Sequence, residues 1–455
     1  MVKHIVEREQ KIPVYAEADV LVVGGGPAGY CAAVSAAREG ASVVLMERYG
    51  YLGGMGTGGY VLLIDCLCDG SGSVVIRGLV EETIERLRKY DGIIEPPRQV
   101  WGSDKAEDIL KWRRWGATGG EDKVVRYSPV ADPEMWKCVA NDMIVEAGVK
   151  PLFHAWFSKA YVEDGTIKGA IFESKSGRLA VLSKTVIDCT GDGDVFVTAG
   201  EDFTTGNLPL GLVFRVCGVD TEKAEEYLRR EGVAQAVSGD LKRIGGVGGG
   251  YSFGILPQGF YMRSSIPDVV WFNTTMQGDG VKIEDLAKVE IETRRKMLIT
   301  VDYFRENVAG FEKAYVMDTA PQVGVRSTRM LCGEYTITRK ELLAGTKYDD
   351  AVVMAQPPYQ QFSPSDSFKE IPYRCFLPKK TDGLLVAGRC ISGDFGAIEM
   401  LRVIPTAMLM GQACGIAAAI AVREGKPLRD VDTKEIRARL RNQNVLMPKR
   451  FDGEI

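Results

Sequence analysis

An α/β fold of two domains, the first assembled from separated stretches of chain, is predicted by three observations in this sequence. With 455 residues the chain exceeds the size at which a single core keeps growing, so two or more domains are expected. The short apolar run at residues 19–23, DVLVV, passes directly into Gly24-Gly25-Gly26-Pro27-Ala28-Gly29 and then a helical pattern through Ala37. Strand-like runs that end in glycine recur far downstream, at residues 181–189 and 384–388, on either side of a long stretch without such punctuation.

Composition narrows the class. Hydrophobic residues make up 45% and charged residues 26%, which is ordinary for a globular protein and unlike a disordered or fibrous one. A net charge of -4 without a Lys/Arg-rich block gives no basis for nucleic acid as a partner. The ten cysteines are scattered, and the close pair Cys66 and Cys68 has neither zinc nor cluster spacing, so a reduced, cytoplasmic protein is expected. Residues 1–20 lack the apolar stretch of a signal peptide. The most apolar helical segment, residues 413–422, reads as a buried helix too short to span a bilayer, so no membrane contact is expected.

Strand, tight glycine turn and helix are the parts of a Rossmann-type dinucleotide fingerprint. Gly24 serves the sharp turn, Gly26 lets backbone approach a pyrophosphate and Gly29 lets the helix pack on the strand, while Pro27 and Ala28 open the helix. The free N–H groups at the helix start can hold phosphate oxygens without a lysine. A second strand at residues 41–46 ends at Glu47, where a carboxylate can accept from ribose hydroxyls and disfavours a 2′-phosphate.

Three features select FAD over NAD. Arg48-Tyr49-Gly50-Tyr51-Leu52-Gly53-Gly54-Met55 follows Glu47 as a glycine loop able to run beside a bulky planar ligand. The strand at 181–189 ends in Thr190-Gly191-Asp192-Gly193-Asp194, a second glycine and acid loop. The strand at 384–388 runs into Gly388 and Arg389, and a helix begins near Pro405, a residue suited to a first turn.

The motifs DVLVVGGGPAG, ERYGYLGG, VIDCTGDGDV, GVRSTRML, IPYRC, LLVAGRCIS and LRVIPTAMLMGQACGIAAA span nearly the whole chain. Together they resemble the FAD-dependent oxidoreductases of the glutathione-reductase-like superfamily, distant relatives of the fumarate reductase flavoproteins. The resemblance implies a discontinuous Rossmann-like FAD-binding domain with a second α+β substrate or cap domain. It places the strand at 186–190 beside the adenosine half of FAD, the strand at 384–388 toward the ribityl chain and the helix start near 403–406 at the isoalloxazine, with Thr190, Gly191, Asp192, Gly388, Arg389, Pro405 and Thr406 as expected cofactor contacts. That helix end can stabilise negative charge on reduced flavin.

The expected organisation is FAD-binding stretches at residues 1–75, 149–205 and 374–455, a helical insertion on the substrate side at 76–148 and a substrate or cap domain at 206–373. Amphipathic helices are predicted at 76–88 and 132–147, the latter opened by Asp132-Pro133, with a wet surface loop over 91–127. Glycines 245–250 read as a flexible loop, not a second nucleotide site, because no clean strand precedes them and no helix follows.

The expected reaction moves hydride between a small polar organic substrate and flavin N5, with a protein group managing one proton. Relatives often carry a His-Glu pair after the LLVAGRCIS motif; here the run is Gly393-Asp394-Phe395-Gly396, and the chain has only His4 and His154. Asp394, Glu399, Tyr373 and Tyr60 are therefore the candidate proton carriers or substrate contacts. Arg326 and Arg402 are candidate catalytic cations, and Arg329 and Arg374 candidate substrate cations, because guanidinium matches a carboxylate or polarises a carbonyl. Cys390 and Cys414 lack CxxC partners, so a disulfide-reductase mechanism is not expected. FAD is expected to be held without a covalent bond, with an external electron donor or acceptor and a possible homo-oligomer. Two alternatives stay open: an oxidase or monooxygenase that uses dioxygen, and a flavin-bearing electron-transfer subunit of a larger complex.

Overall fold

The computed structural model describes residues 4–65, 67–118, 124–247, 259–356 and 369–453. Cys66 and residues 248–250 of the glycine run at 245–250 lie outside the described residues. At the centre of a seven-stranded sheet is Val14–Val23, longer at its N-terminal end than the apolar run alone suggested. On one side it pairs in parallel with Val43–Met46, which pairs with Lys150–Leu152. On the other side lies Gly177–Asp188, also parallel, whose C-terminal end pairs with Leu384–Val386. The N-terminal half of Gly177–Asp188 turns to antiparallel pairing with Thr166–Ser174, which in turn pairs with Trp156–Glu163. The parallel part is buried on both faces, so VLVV, VVLM and LLV read as continuous apolar runs without alternation.

The helices Pro27–Arg38 and Ile404–Glu424 cross at unusually short range. A Cβ at Gly411 would lie 1.9 Å from the Ala28 carbonyl oxygen, and one at Gly415 would lie 2.2 Å from that of Ala32. Small residues on both helices are what let the backbones approach this closely. Ile404–Glu424 is twice the length of the apolar segment read from sequence. Among the described residues it is the one helix long and apolar enough to cross a bilayer, and its apolar stretch is wholly buried inside the fold.

Helices Leu79–Lys89 and Pro133–Glu146 pack on this pair, joined through the Tyr30 hydroxyl, which lies 3.1 Å from Thr83 Oγ1 and 3.4 Å from Trp136 Nε1. Asp132 caps the second of them, accepting from the Glu134 and Met135 N–H groups. The segment 91–127 is less wet than its charges imply. It holds the helix Ala106–Trp112, a small core of Trp112, Ala117 and Val125, and a Trp101–Tyr127 stack at 4.0 Å.

A second, antiparallel sheet runs Met262–Arg263, Val270–Phe272, Phe214–Cys217, Tyr315–Thr319. Its outer face buries Phe214 and Phe272, stacked at 4.7 Å, under Met297, Val301 and Phe304 of the long helix Ile283–Asn307. Side-chain alternation then turns Trp271, between Val270 and Phe272, to the opposite face. From Met330 onward the buried residues join the first core, so the separate core of the second domain ends well before residue 373.

Candidate active site

A cavity of about 560 Å³ lies between the two sheets' domains, and the dinucleotide fingerprint forms one of its walls. The three glycines differ in what they face. Gly24 has φ +97°, and a Cβ there would strike the Cys189 carbonyl oxygen at 2.5 Å. A Cβ on Gly29 would lie 1.7 Å from the Gly24 carbonyl oxygen, which is the close helix-to-turn packing the motif requires. Gly26 is different: a Cβ there would meet nothing nearer than Gly54 Cα at 3.9 Å, and the residue lines the cavity with Pro27 and Ala28.

Glu47, at the end of Val43–Met46, is buried and lines the same cavity. Its Oε2 accepts from the Gly25 N–H at 2.6 Å and its Oε1 from the Tyr49 N–H at 2.9 Å, so it braces the fingerprint turn as well as facing the ligand space. Burial pushes its carboxyl above the ordinary value, against the pull of those two N–H donors. The loop after it folds back on the fingerprint, with the Gly53 N–H donating to the Gly25 carbonyl at 2.9 Å. Gly53 is turned from the cavity, packed on Thr57, whereas Arg48, Tyr49, Gly54 and Met55 line it. The Arg48 guanidinium sits 5.0 Å from the Tyr49 ring centre and 5.5 Å from that of Trp156.

The second glycine loop is organised by a residue that sequence reasoning passed over. Asp188 is fully buried; its Oδ1 accepts from the Thr190 N–H and hydroxyl, and its Oδ2 from the Val195 and Phe196 N–H groups. Burial raises its carboxyl to about 6 despite the pull of these donors. Its place as the last residue of a strand, before a Gly-rich loop and a helix start, was the available signal. Beyond it Thr190, Gly191, Asp192 and Asp194 line the cavity. Asp192 meets Arg389 at 2.6 Å and accepts from the Thr328 hydroxyl at 2.8 Å. Burial pushes the Asp192 carboxyl up, but Arg389, Thr328 and Arg48 outweigh it and hold the group below its ordinary value. Arg329 donates to the Asp192 carbonyl at 2.7 Å and pairs with the Asp194 carboxylate, so it clamps this loop.

Gly388, Arg389, Arg402, Val403, Ile404 and Ala407 complete the first-domain wall. Pro405 and Thr406 lie in the first turn of Ile404–Glu424 but outside the lining. That helix start presents backbone N–H groups with no intrahelical acceptor. The residues fit FAD: an open glycine at the fingerprint, a buried acid at the end of the second strand, two helix starts, and a cavity-lining Arg389 whose Nε is buried without a partner.

Five candidates for proton transfer or substrate contact do not line the cavity. Tyr373 is buried in the first core, where its hydroxyl donates to the Leu428 carbonyl at 2.9 Å. Asp394 caps the helix Phe395–Leu401 through the Ala397 N–H and also accepts from the Arg339 N–H. Arg374 pairs with Asp350 at 2.9 Å and lies over the Tyr335 ring. Tyr60, with φ +53°, sits between the lining residues Gly59 and Val61, its ring under Arg215 and its hydroxyl 3.3 Å from Asp318. Glu399 faces Arg339 at 3.6 Å. Neither histidine is a lining residue, and the His154 ring instead packs against Gly50.

Arg326 does line the cavity, on the second-domain wall, donating to the Pro209 and Thr274 carbonyls and to Asn273 Oδ1. Asp65, Trp271 and Asn273 share the lining and were not singled out from sequence. They come from distant stretches that only the tertiary fold brings together.

A parallel sheet entered by a glycine fingerprint, with a cavity closed by a second antiparallel domain, defines a Rossmann-type dinucleotide-binding oxidoreductase. The chain belongs to the FAD dependent oxidoreductase family, whose sequence profile matches residues 19–440, and FAD is its cofactor. No curated protein matches it. Solved structures similar to it include p-nitrophenol 4-monooxygenase PnpA from Pseudomonas putida, at 11% identity and TM-score 0.48, covering 94% of this chain and 85% of that one. Others are the flavin-dependent brominase Bmp2, at 13% identity and TM-score 0.45 over 94% and 84%, and a geranylgeranyl bacteriochlorophyll reductase-like protein from Thermoplasma acidophilum, at 14% identity and TM-score 0.42 over 94% and 83%.

Proposed function

We propose that this FAD-dependent oxidoreductase is a dehydrogenase or reductase that exchanges hydride with a small organic substrate seated on the second-domain wall of the cavity. The observation that carries the reading is the division of one cavity between two chemistries. The first-domain wall supplies Gly26, Glu47 and Arg389 for the dinucleotide, and the wall from the second domain supplies Trp271, Asn273 and Arg326. FAD, when bound, supplies a hydride acceptor or donor at N5. Arg326, fixed by two carbonyls and an amide oxygen, orients a substrate oxygen. Asp65, which accepts from the Ser128 hydroxyl at 3.0 Å, holds or releases the substrate proton. The start of Ile404–Glu424 favours negative charge beside it.

The test is anaerobic titration of the purified holoprotein with pooled hydroxy acids, alcohols, aromatic acids, amines and polyols while the flavin band is followed. Bleaching by one pool is the expected result. A protein whose flavin is bleached by nothing, and which copurifies with a redox partner, would overturn the reading in favour of an electron-transfer subunit. Rapid reoxidation by dioxygen with peroxide release would replace it with the oxidase alternative.

A further inference from the structure

The second-domain wall of the cavity is built in a way that specifies more than its position. Trp271 lies on the strand Val270–Phe272 and Asn273 directly follows that strand; both line the cavity while Val270 and Phe272 enter the core behind. Trp271 is 2% exposed, and its indole Nε1–H is buried with no acceptor. A buried donor left unpaired is unfavourable, and in a ligand cavity it marks a place where an acceptor from the ligand belongs. Asn273 is held in a defined sense. Its Oδ1 accepts from Arg326 Nη2 at 3.0 Å, so the atom it has left to offer is the Nδ2 donor. Arg326 itself is donor-only. Val213, Met262, Leu286, Val323 and Val325 line the cavity with them, and Asp65 and Gln322 add polar groups.

The geometry points to a substrate-recognition subsite in which Trp271, Asn273 and Arg326 grip one carbonyl-type oxygen acceptor, carboxylate or amide, at the end of a flat apolar body. This deepens the hydride-transfer reading and rests on it. It also narrows the substrate away from polyols, whose many hydroxyls would find few polar partners on a mostly hydrocarbon wall.

The test uses the FAD-loaded protein, with benzoate and benzamide as probes and gluconate as the polar control. Binding is read from perturbation of the flavin band and from quenching of tryptophan fluorescence, neither of which needs turnover. Benzoate or benzamide is expected to bind on the order of tenfold more tightly than gluconate. Trp271→Phe keeps an aromatic ring but removes the donor and should weaken that binding by about five- to tenfold. Asn273→Asp keeps an acceptor for Arg326 but removes the Nδ2 donor and adds negative charge, and should weaken both probes, benzoate more than benzamide through repulsion. Gluconate binding as well as either aromatic probe, or both variants binding the probes as the parent does, would overturn the subsite. Failure of the hydride-transfer reading looks different: the probes bind and respond to the substitutions, yet no substrate bleaches the flavin.

Discussion

Arg389 and Asp192 meet at 2.6 Å although 197 residues of sequence separate them, and the contact ties the last stretch of the FAD domain to the middle one. Both side chains are largely buried and both residues line the cavity. Arg389→Met would leave Asp192 buried beside Asp194 with its principal counter-charge gone. We expect loss of about 2–3 kcal/mol of stability and a fall in bound FAD. Thermal melting and the flavin-to-protein absorbance ratio measure the two effects, and an unchanged ratio would show that Arg389 does not contact the dinucleotide.

Glu47 has two duties, because its oxygens accept from the Gly25 and Tyr49 N–H groups as well as facing the ligand space. Glu47→Ala is therefore expected to weaken FAD binding at least tenfold and also to destabilise the apoprotein by about 1–3 kcal/mol. Equilibrium dialysis against FAD and denaturant unfolding of the apoprotein separate these outcomes.

Asp188 gives a pH signature of unusual sign. Its folded-state carboxyl is raised to about 6 from the ordinary 3.8, so between those values the folded chain binds more protons than the unfolded one. From this group alone, stability is highest below about pH 4 and falls as pH rises through about 6, by about 3 kcal/mol at most. Asp188→Asn should remove that slope while lowering stability overall, since an amide cannot accept from both loop donors and helix donors. Unfolding free energies of the two proteins across pH 4–7 give the difference; parallel curves would refute it.

The proton carrier is tested at Asp65. Asp65→Asn should lower kcat by about 10²–10⁴ with FAD content and KM little changed. A proportional rise in KM at constant kcat would make Asp65 a substrate ligand instead.

Attachment of the flavin is tested by acid precipitation, which should release the yellow colour into the supernatant. Cys189, which lines the cavity, has its thiol pushed well above the ordinary value by burial, which disfavours the thiolate that attack on a flavin would need.

The first-domain half of the site was legible because its chemistry is local. Strand, turn and helix fall within residues 14–38, and each glycine's role follows from its place in that unit. The opposite wall was largely illegible. Asp65 and Asn273 stand in no motif and become neighbours of one cavity only through the tertiary fold, whereas Arg326, within GVRSTRML, was the one residue of that wall the sequence offered. Tyr373 and Asp394 failed for a related reason: nearness in sequence to a flavin-facing segment says nothing of direction. Asp394 stands three residues before Ala397, the N–H it accepts, a capping signal present in the sequence all along.

The pairing of Leu384–Val386 with the end of Gly177–Asp188 has a consequence for biosynthesis. The entire antiparallel domain is spliced between those two strands, so it emerges from the ribosome as one contiguous piece and can collapse on its own core early. The cofactor-binding sheet cannot close until nearly the last part of the chain has been made. Nascent protein therefore carries an open strand edge at the end of Gly177–Asp188 throughout synthesis of the stretch up to Leu384, which includes the whole antiparallel domain.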